Sequence, residues 1–214
     1  MRCLSRLLLL AVAMLVLRAS GAQEVIDRIV ARVENDVILL SDVHHLAEYQ
    51  IFVDGKAESD AQILDRLIDQ WMVRTEAVAS RFSQPSDEDV ERSLARLKRS
   101  FSSPEAFEER KKQSGLTEDE IRSELKSQLY LSNYLDSRFR AAIQIDDQAI
   151  AEFYKDRVVP RAQARGQTPP TLDAAHDFIQ EALVQRAINE QADNWLKENR
   201  ARVRVENLLD ENTK

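Results

Sequence analysis

The chain has 214 residues, with 37 acidic and 30 basic side chains and a formal net charge of −7. An acidic surface argues against nucleic acid and anionic lipid as partners. Only 4 Gly and 5 Pro beside 31% charged residues exclude a barrel or a low-complexity tail and favour helices.

Residues 1–22 read as a secretory signal. Arg2 and Arg6 precede an apolar run from Leu7 to Leu17, and Ser20-Gly21-Ala22 supplies the small residues a signal peptidase recognises. The run is shorter than the ~20 residues a spanning helix needs, although an uncleaved anchor is the alternative. Cleavage after Ala22 removes three Arg and takes the net charge from −7 to −10. It also removes Cys3, the single cysteine, so the exported chain is held together by its core alone. The expected location is the periplasm, without stable membrane insertion.

VIDRIVARVENDVILLSDV, residues 25–43, alternates like a β-hairpin. Ile29, Ala31 and Val33 share one face, and Arg28, Val30 and Arg32 the other, with Asn35-Asp36 as the turn. Ser41 is expected to cap the helix that follows. In the second helix Leu64, Leu67, Ile68, Trp71, Val78 and Phe82 form an apolar stripe, broken by Pro85. Ser86 with Asp89 starts a third helix, and Gly115 stops a fourth. Thr117 with Glu120 makes a capping box for a long helix through Phe139, striped by Ile121, Leu125, Leu129 and Leu135. DDQAIAEFYKDRV is a short helix. PRAQARGQTPP holds three of the five prolines and reads as a loop over 159–171. A long amphipathic helix follows, with Phe178, Ile179, Leu183, Ile188, Trp195 and Leu196 as its apolar members. ARVRVENLL then alternates as a strand. A lone hairpin is marginal in water, so this terminal strand is expected to pair with it, Val203 and Val205 joining Ile29, Ala31 and Val33. The fold class expected is mainly α, a helical bundle with a small antiparallel sheet made by the N-terminal hairpin and the C-terminal strand.

Chemistry-bearing motifs are missing. His44 and His45 are adjacent on a helix, point about 100° apart and do not chelate one ion, and His176 stands alone, so no metal site is expected. No nucleophile elbow, phosphate loop or dinucleotide fingerprint is present. No catalytic residue and no cofactor are expected.

The order of signal, hairpin, helices and returning strand resembles the SurA family of periplasmic chaperones and its parvulin-linked relatives. The family's opening pattern stands here as Ile29, Ala31, Val33, Glu34, Asn35, Val37, Ile38, Ser41 and Asp42. ILDRLIDQWMVRTEA is similar to the family's second helix, and AHDFIQEALVQRAINEQADNWLKENRARVRVE to the helix and strand that return after the isomerase domain. On this resemblance residues 23–158 form the chaperone domain and 172–210 complete it. Only 159–171 stands where the prolyl isomerase domain would be inserted. A domain needs ~50 residues, so the isomerase is absent and the chain is not expected to be an enzyme. The resemblance implies an ATP-independent chaperone for unfolded exported polypeptides, outer-membrane proteins among them. Tyr49, Phe52, Phe101, Phe107, Tyr130 and Tyr134, aromatics off the main stripes, are the candidate client contacts, each with core packing as the alternative reading. A non-catalytic scaffold of an exported assembly is the alternative function, and an active prolyl isomerase the third.

Overall fold

The computed structural model describes residues 27–209, so the expected signal sequence lies outside the described residues. Strands β1 (Ile29–Val33) and β2 (Asp36–Leu39) lead into helices α1 (Leu40–Asp54), α2 (Asp60–Ala79), α3 (Asp87–Ser100), α4 (Pro104–Ser114) and α5 (Glu118–Phe139). A 3₁₀ turn (Arg140–Ala142), α6 (Asp147–Phe153), a π turn (Tyr154–Val158) and α7 (Val159–Ala164) follow. Helix α8 (Leu172–Arg200) returns to β3 (Val205–Asn207). The fold is a mainly helical bundle with a three-stranded antiparallel sheet ordered β2-β1-β3.

The hairpin therefore has its third strand, and β3 does more than pair. The turn is Glu34-Asn35, one residue earlier than the alternation implies, because Asp36 already pairs with Val33. Glu34 sits at φ 54, a left-handed backbone that costs a non-glycine residue about 1 kcal/mol. Arg204 holds it there. Its carbonyl accepts from the Glu34 N–H at 3.0 Å, and its own N–H donates to Glu34 Oε1 at 2.7 Å. A register shift between Ile29 and Ala31 places a bulge at Val30. This overturns the strict two-face reading: Val30 and Ala31 are both fully buried, as one extra residue turns the strand locally. Val203 lies before β3 and, with Val205, packs against the sheet cluster while remaining half-exposed.

Ser41 is not the cap of α1. The helix starts at Leu40, and Leu39 precedes it without a side-chain cap. Asp27 takes the role from outside the helix: Ser41 N–H donates to Asp27 Oδ1 at 3.2 Å, and the Ser41 hydroxyl donates to the other carboxylate oxygen. The serine hydrogen bond holds the Asp27 carboxyl below its ordinary value. A group with a lowered folded pKa stabilises above its unfolded pKa and loses that effect as pH falls through the folded value. Asp27→Asn should lower Tm by a few degrees at neutral pH. The gap to the parent should close on acidification below the carboxylate range; a gap unchanged by acid would contradict the charge-based cap.

Other helix ends follow the sequence. Ser86 with Asp89 and Thr117 with Glu120 form capping boxes, Asp146 accepts from Ala149 N–H at 2.8 Å, and Gly115 at φ 78 ends α4. The loop expected over 159–171 is shorter. Residues 159–164 are helical, and Pro160 enters there because the π turn before it is wide, with Val159 N–H donating to Tyr154 O. In a regular helix the proline ring would strike the carbonyl four residues back. Gly166 at φ 66 closes α7, and the Tyr154 hydroxyl donates to Pro170 O at 2.6 Å, tying down the remaining 165–171.

Apolar packing falls into four clusters. The first joins the sheet to α1 and α2 through Val30, Val33, Leu46, Ile68 and Leu209. The second and third lie on either half of α5. The fourth packs α6 against the front of α8 through Ile150, Ala175, Ile179 and Leu183. Trp195 and Leu196, at the back of α8, pack on both the first and third. Phe178, expected among the apolar members of α8, is 74% exposed.

Candidate functional site

Five of the six aromatic candidates are buried in the core, and Phe101 is half-buried. Tyr49, Phe52 and Phe107 are buried in the second cluster with Phe101 packed half-buried against it, and Tyr130 and Tyr134 are buried in the third. Phe52 meets Phe101 and Phe107 at ring-centroid distances of 5.4 and 5.3 Å. Tyr134 meets Phe82 edge-on at 5.5 Å, and its hydroxyl accepts from Arg138 Nη1 at 2.9 Å. These rings look off-stripe because α5 changes partners midway. Ile121 and Leu125 face the second cluster, while Tyr130, Leu131 and Tyr134 face the third. From Leu125 to Tyr130 the helix turns by roughly 140° at 100° per residue. Leu129 and Leu135, placed on one stripe by the sequence, are left half-buried.

The accessible apolar surface lies elsewhere. Three cavities of about 440, 230 and 470 Å³ adjoin one another along α1, α2 and α5. The first and second share Leu46 and Gln70; the second and third share Asp42, His45, Arg74 and Glu124. Together they form one groove that starts at β2 and branches between the helices. Each cavity carries one exposed valine: Val53 at 38%, Val37 at 48% and Val78 at 60%. Leu67 and Trp71, half-buried, line the central cavity. Tyr49 and Tyr130 are the only two of the six candidates that reach the groove, each as a largely buried wall.

The sequence reading put Leu67, Trp71 and Val78 in the core stripe of α2. Leu67 and Trp71 do both, packing half-buried against the sheet cluster and lining the central cavity, while Val78 is exposed. Ile63, Leu64, Ile68, Met72, Val73 and Ala77 are the buried members. Val37 enters the sequence reading only as part of the hairpin pattern, and Val53 not at all.

Polar contacts hold the walls in place. Trp71 Nε1 donates to Asp36 Oδ2 at 2.8 Å, joining α2 to β2. Arg74 Nη2 donates to Ser127 Oγ at 2.8 Å, joining α2 to α5. Arg66 pairs with Glu58, and Gln50 Nε2 donates to the same carboxylate at 3.0 Å. Those bonds, that to Arg66 foremost, bring the Glu58 carboxyl down to about 2. Burial pushes the Tyr49 phenol up to about 12, with the Glu124 charge adding to the effect, so Tyr49 stays a neutral wall. The groove is thus mainly apolar at its centre, mixed towards Val53 and mainly polar towards Val78, with both charges at its rim. Such a surface suits side-chain contact with an extended chain. Among the described residues no group of three or more His, Cys, Asp or Glu is placed to hold a metal ion, and no helix is long and apolar enough to cross a membrane.

No protein-family model matches the chain, and no curated protein is significantly similar to it in sequence.

Proposed function

We propose that the protein is an ATP-independent holdase of the periplasm that binds unfolded exported polypeptides, outer-membrane proteins among them, in the groove between α1, α2 and α5. The observation that carries this reading is the exposed valine in each of three adjoining cavities, Val37, Val53 and Val78. Exposed apolar side chains in a groove cost solubility and are retained where something binds. The resemblance of the hairpin and second helix to the SurA family points the same way. Binding through several weak apolar contacts needs no nucleotide and lets the client leave when it folds.

The test dilutes a urea-unfolded outer-membrane barrel protein into residues 23–214 and follows light scattering. Suppression near stoichiometric ratios is expected, absent with a control protein of equal charge. Val37→Asp, Val53→Asp and Val78→Asp together should weaken suppression at least tenfold while Tm changes by only a few degrees, because exposed side chains contribute little to stability. Full suppression by the triple variant would remove the groove from the reading. No suppression by the parent at large excess would favour the fixed-partner scaffold.

A further inference from the structure

The sheet has a second edge, remote from the groove. On either side of β3 the Arg204 carbonyl accepts from Glu34 N–H at 3.0 Å, and Leu208 N–H donates to the Val30 carbonyl at 2.9 Å. Arg32 faces Glu206 between them in the antiparallel register. Backbone groups alternate sides along a strand, so residues 204, 206 and 208 spend theirs on β1. The N–H and C=O groups of Val205 and Asn207 then face outward. Their two-residue spacing, about 6.8 Å, is the repeat an added strand requires. Among the described residues nothing pairs with this edge, since β3 ends the order β2-β1-β3. Its rim is basic on balance in an otherwise acidic chain, Arg202 and Arg204 outnumbering the Glu34 carboxylate that accepts from Arg204 N–H. Arg202 and Arg204 are both exposed, and the Arg204 guanidinium reaches only the Glu34 carbonyl, at 3.4 Å. The acid on the strand, Glu206, is already paired with Arg32 at 3.1 Å.

We propose that the outer edge of β3 binds an acidic, extended segment of a partner polypeptide by strand addition, with Val205 and Asn207 supplying the backbone bonds and Arg202 and Arg204 the charge complement. This is the strand-addition mode of peptide recognition. The short edge and exposed arginines keep it from joining other sheets indiscriminately. The site is separate from the groove and does not depend on what the groove binds.

The probe is a capped heptapeptide of alternating valine and glutamate carrying a fluorophore, titrated with the full chain and read by anisotropy. Saturable binding that weakens with salt is expected. The lysine counterpart, and the acidic peptide N-methylated on all its central amides, should each bind at least tenfold more weakly. Val205→Pro removes one outward N–H and leaves the bonds of residues 204, 206 and 208 to β1; edge positions tolerate proline. It too should weaken binding at least tenfold. Should that variant misfold, the N-methylated peptide on the parent protein decides. Val78→Asp should leave peptide binding unchanged, which separates this edge from the groove. Equal binding of the N-methylated peptide, equal binding of the lysine peptide, or no binding of the acidic one would each overturn the proposal.

Discussion

Removing residues 201–214 should lower the melting temperature by roughly 10 °C or more. The truncation takes away β3 and its bonds to Val30, Arg32 and Glu34. It also removes Leu209, buried in the sheet cluster, and the half-buried Val203 and Val205. Each hydrogen bond is worth about 1 kcal/mol net and the leucine about 2 kcal/mol. The loss comes to about 5 kcal/mol, comparable to the whole stability of a small domain. A further cost falls on the hairpin. Without Arg204, nothing in β3 holds Glu34 at φ 54, and a two-stranded hairpin is marginal alone. Differential scanning calorimetry of both forms gives the answer. Superimposable melts would show that β3 contributes nothing to closing the fold.

Phe52→Ala should cost about 4 kcal/mol and leave client binding unchanged in whatever fraction stays folded. Phe52 is fully buried, and its ring contacts Tyr49, Phe101 and Phe107 at 6.2, 5.4 and 5.3 Å. The cavity left behind would lie where α1, α3, α4 and α5 meet. Phe178→Ala is the contrast. That ring is 74% exposed, so its removal should shift stability by no more than about 0.5 kcal/mol. Denaturant melts of the two variants separate core from surface. Equal effects, or a Phe52→Ala protein of parental stability that has lost client binding, would restore Phe52 as a contact residue and contradict its place in the core.

Local signals were readable where one residue decides the outcome. Ser86 and Thr117 cap helices because a short polar side chain satisfies the first free N–H groups. Gly115 stops α4 because its backbone must turn left-handed. The terminal strand was readable from alternation, combined with the hairpin's need for a partner.

Where partners decide, the chain alone misled. The start of α1 is held by Asp42, which accepts from Leu39 N–H at 2.8 Å, and by Asp27, fourteen residues from Ser41 and outside any capping pattern. The buried face of α5 changes halfway, so one stripe could not describe it, and the tyrosines it needs in the core stood off that stripe. Leu67, Trp71 and Val78 form a true apolar stripe. Whether such a stripe is core or groove depends on what covers it, and here Leu67 and Trp71 pack half-buried on the sheet cluster while Val78 stays exposed. The 159–171 segment read as a loop from its prolines, yet a π turn admits Pro160 into helical structure. The groove was therefore half legible: its α2 residues were found as an apolar stripe, Val37 appeared only as a hairpin residue, and Val53 gave no sign.

Site-specific photo-crosslinking tests the groove most directly. A photoreactive amino acid would replace Val78 in one protein and Asn189, exposed on α8, in another. Each would be irradiated with an unfolded outer-membrane barrel protein diluted from urea. A client held in the groove gives strong adducts from position 78 and little from position 189. Equal labelling at the two positions, or none at 78 while aggregation is still suppressed, would place the client elsewhere and contradict the groove as the binding site.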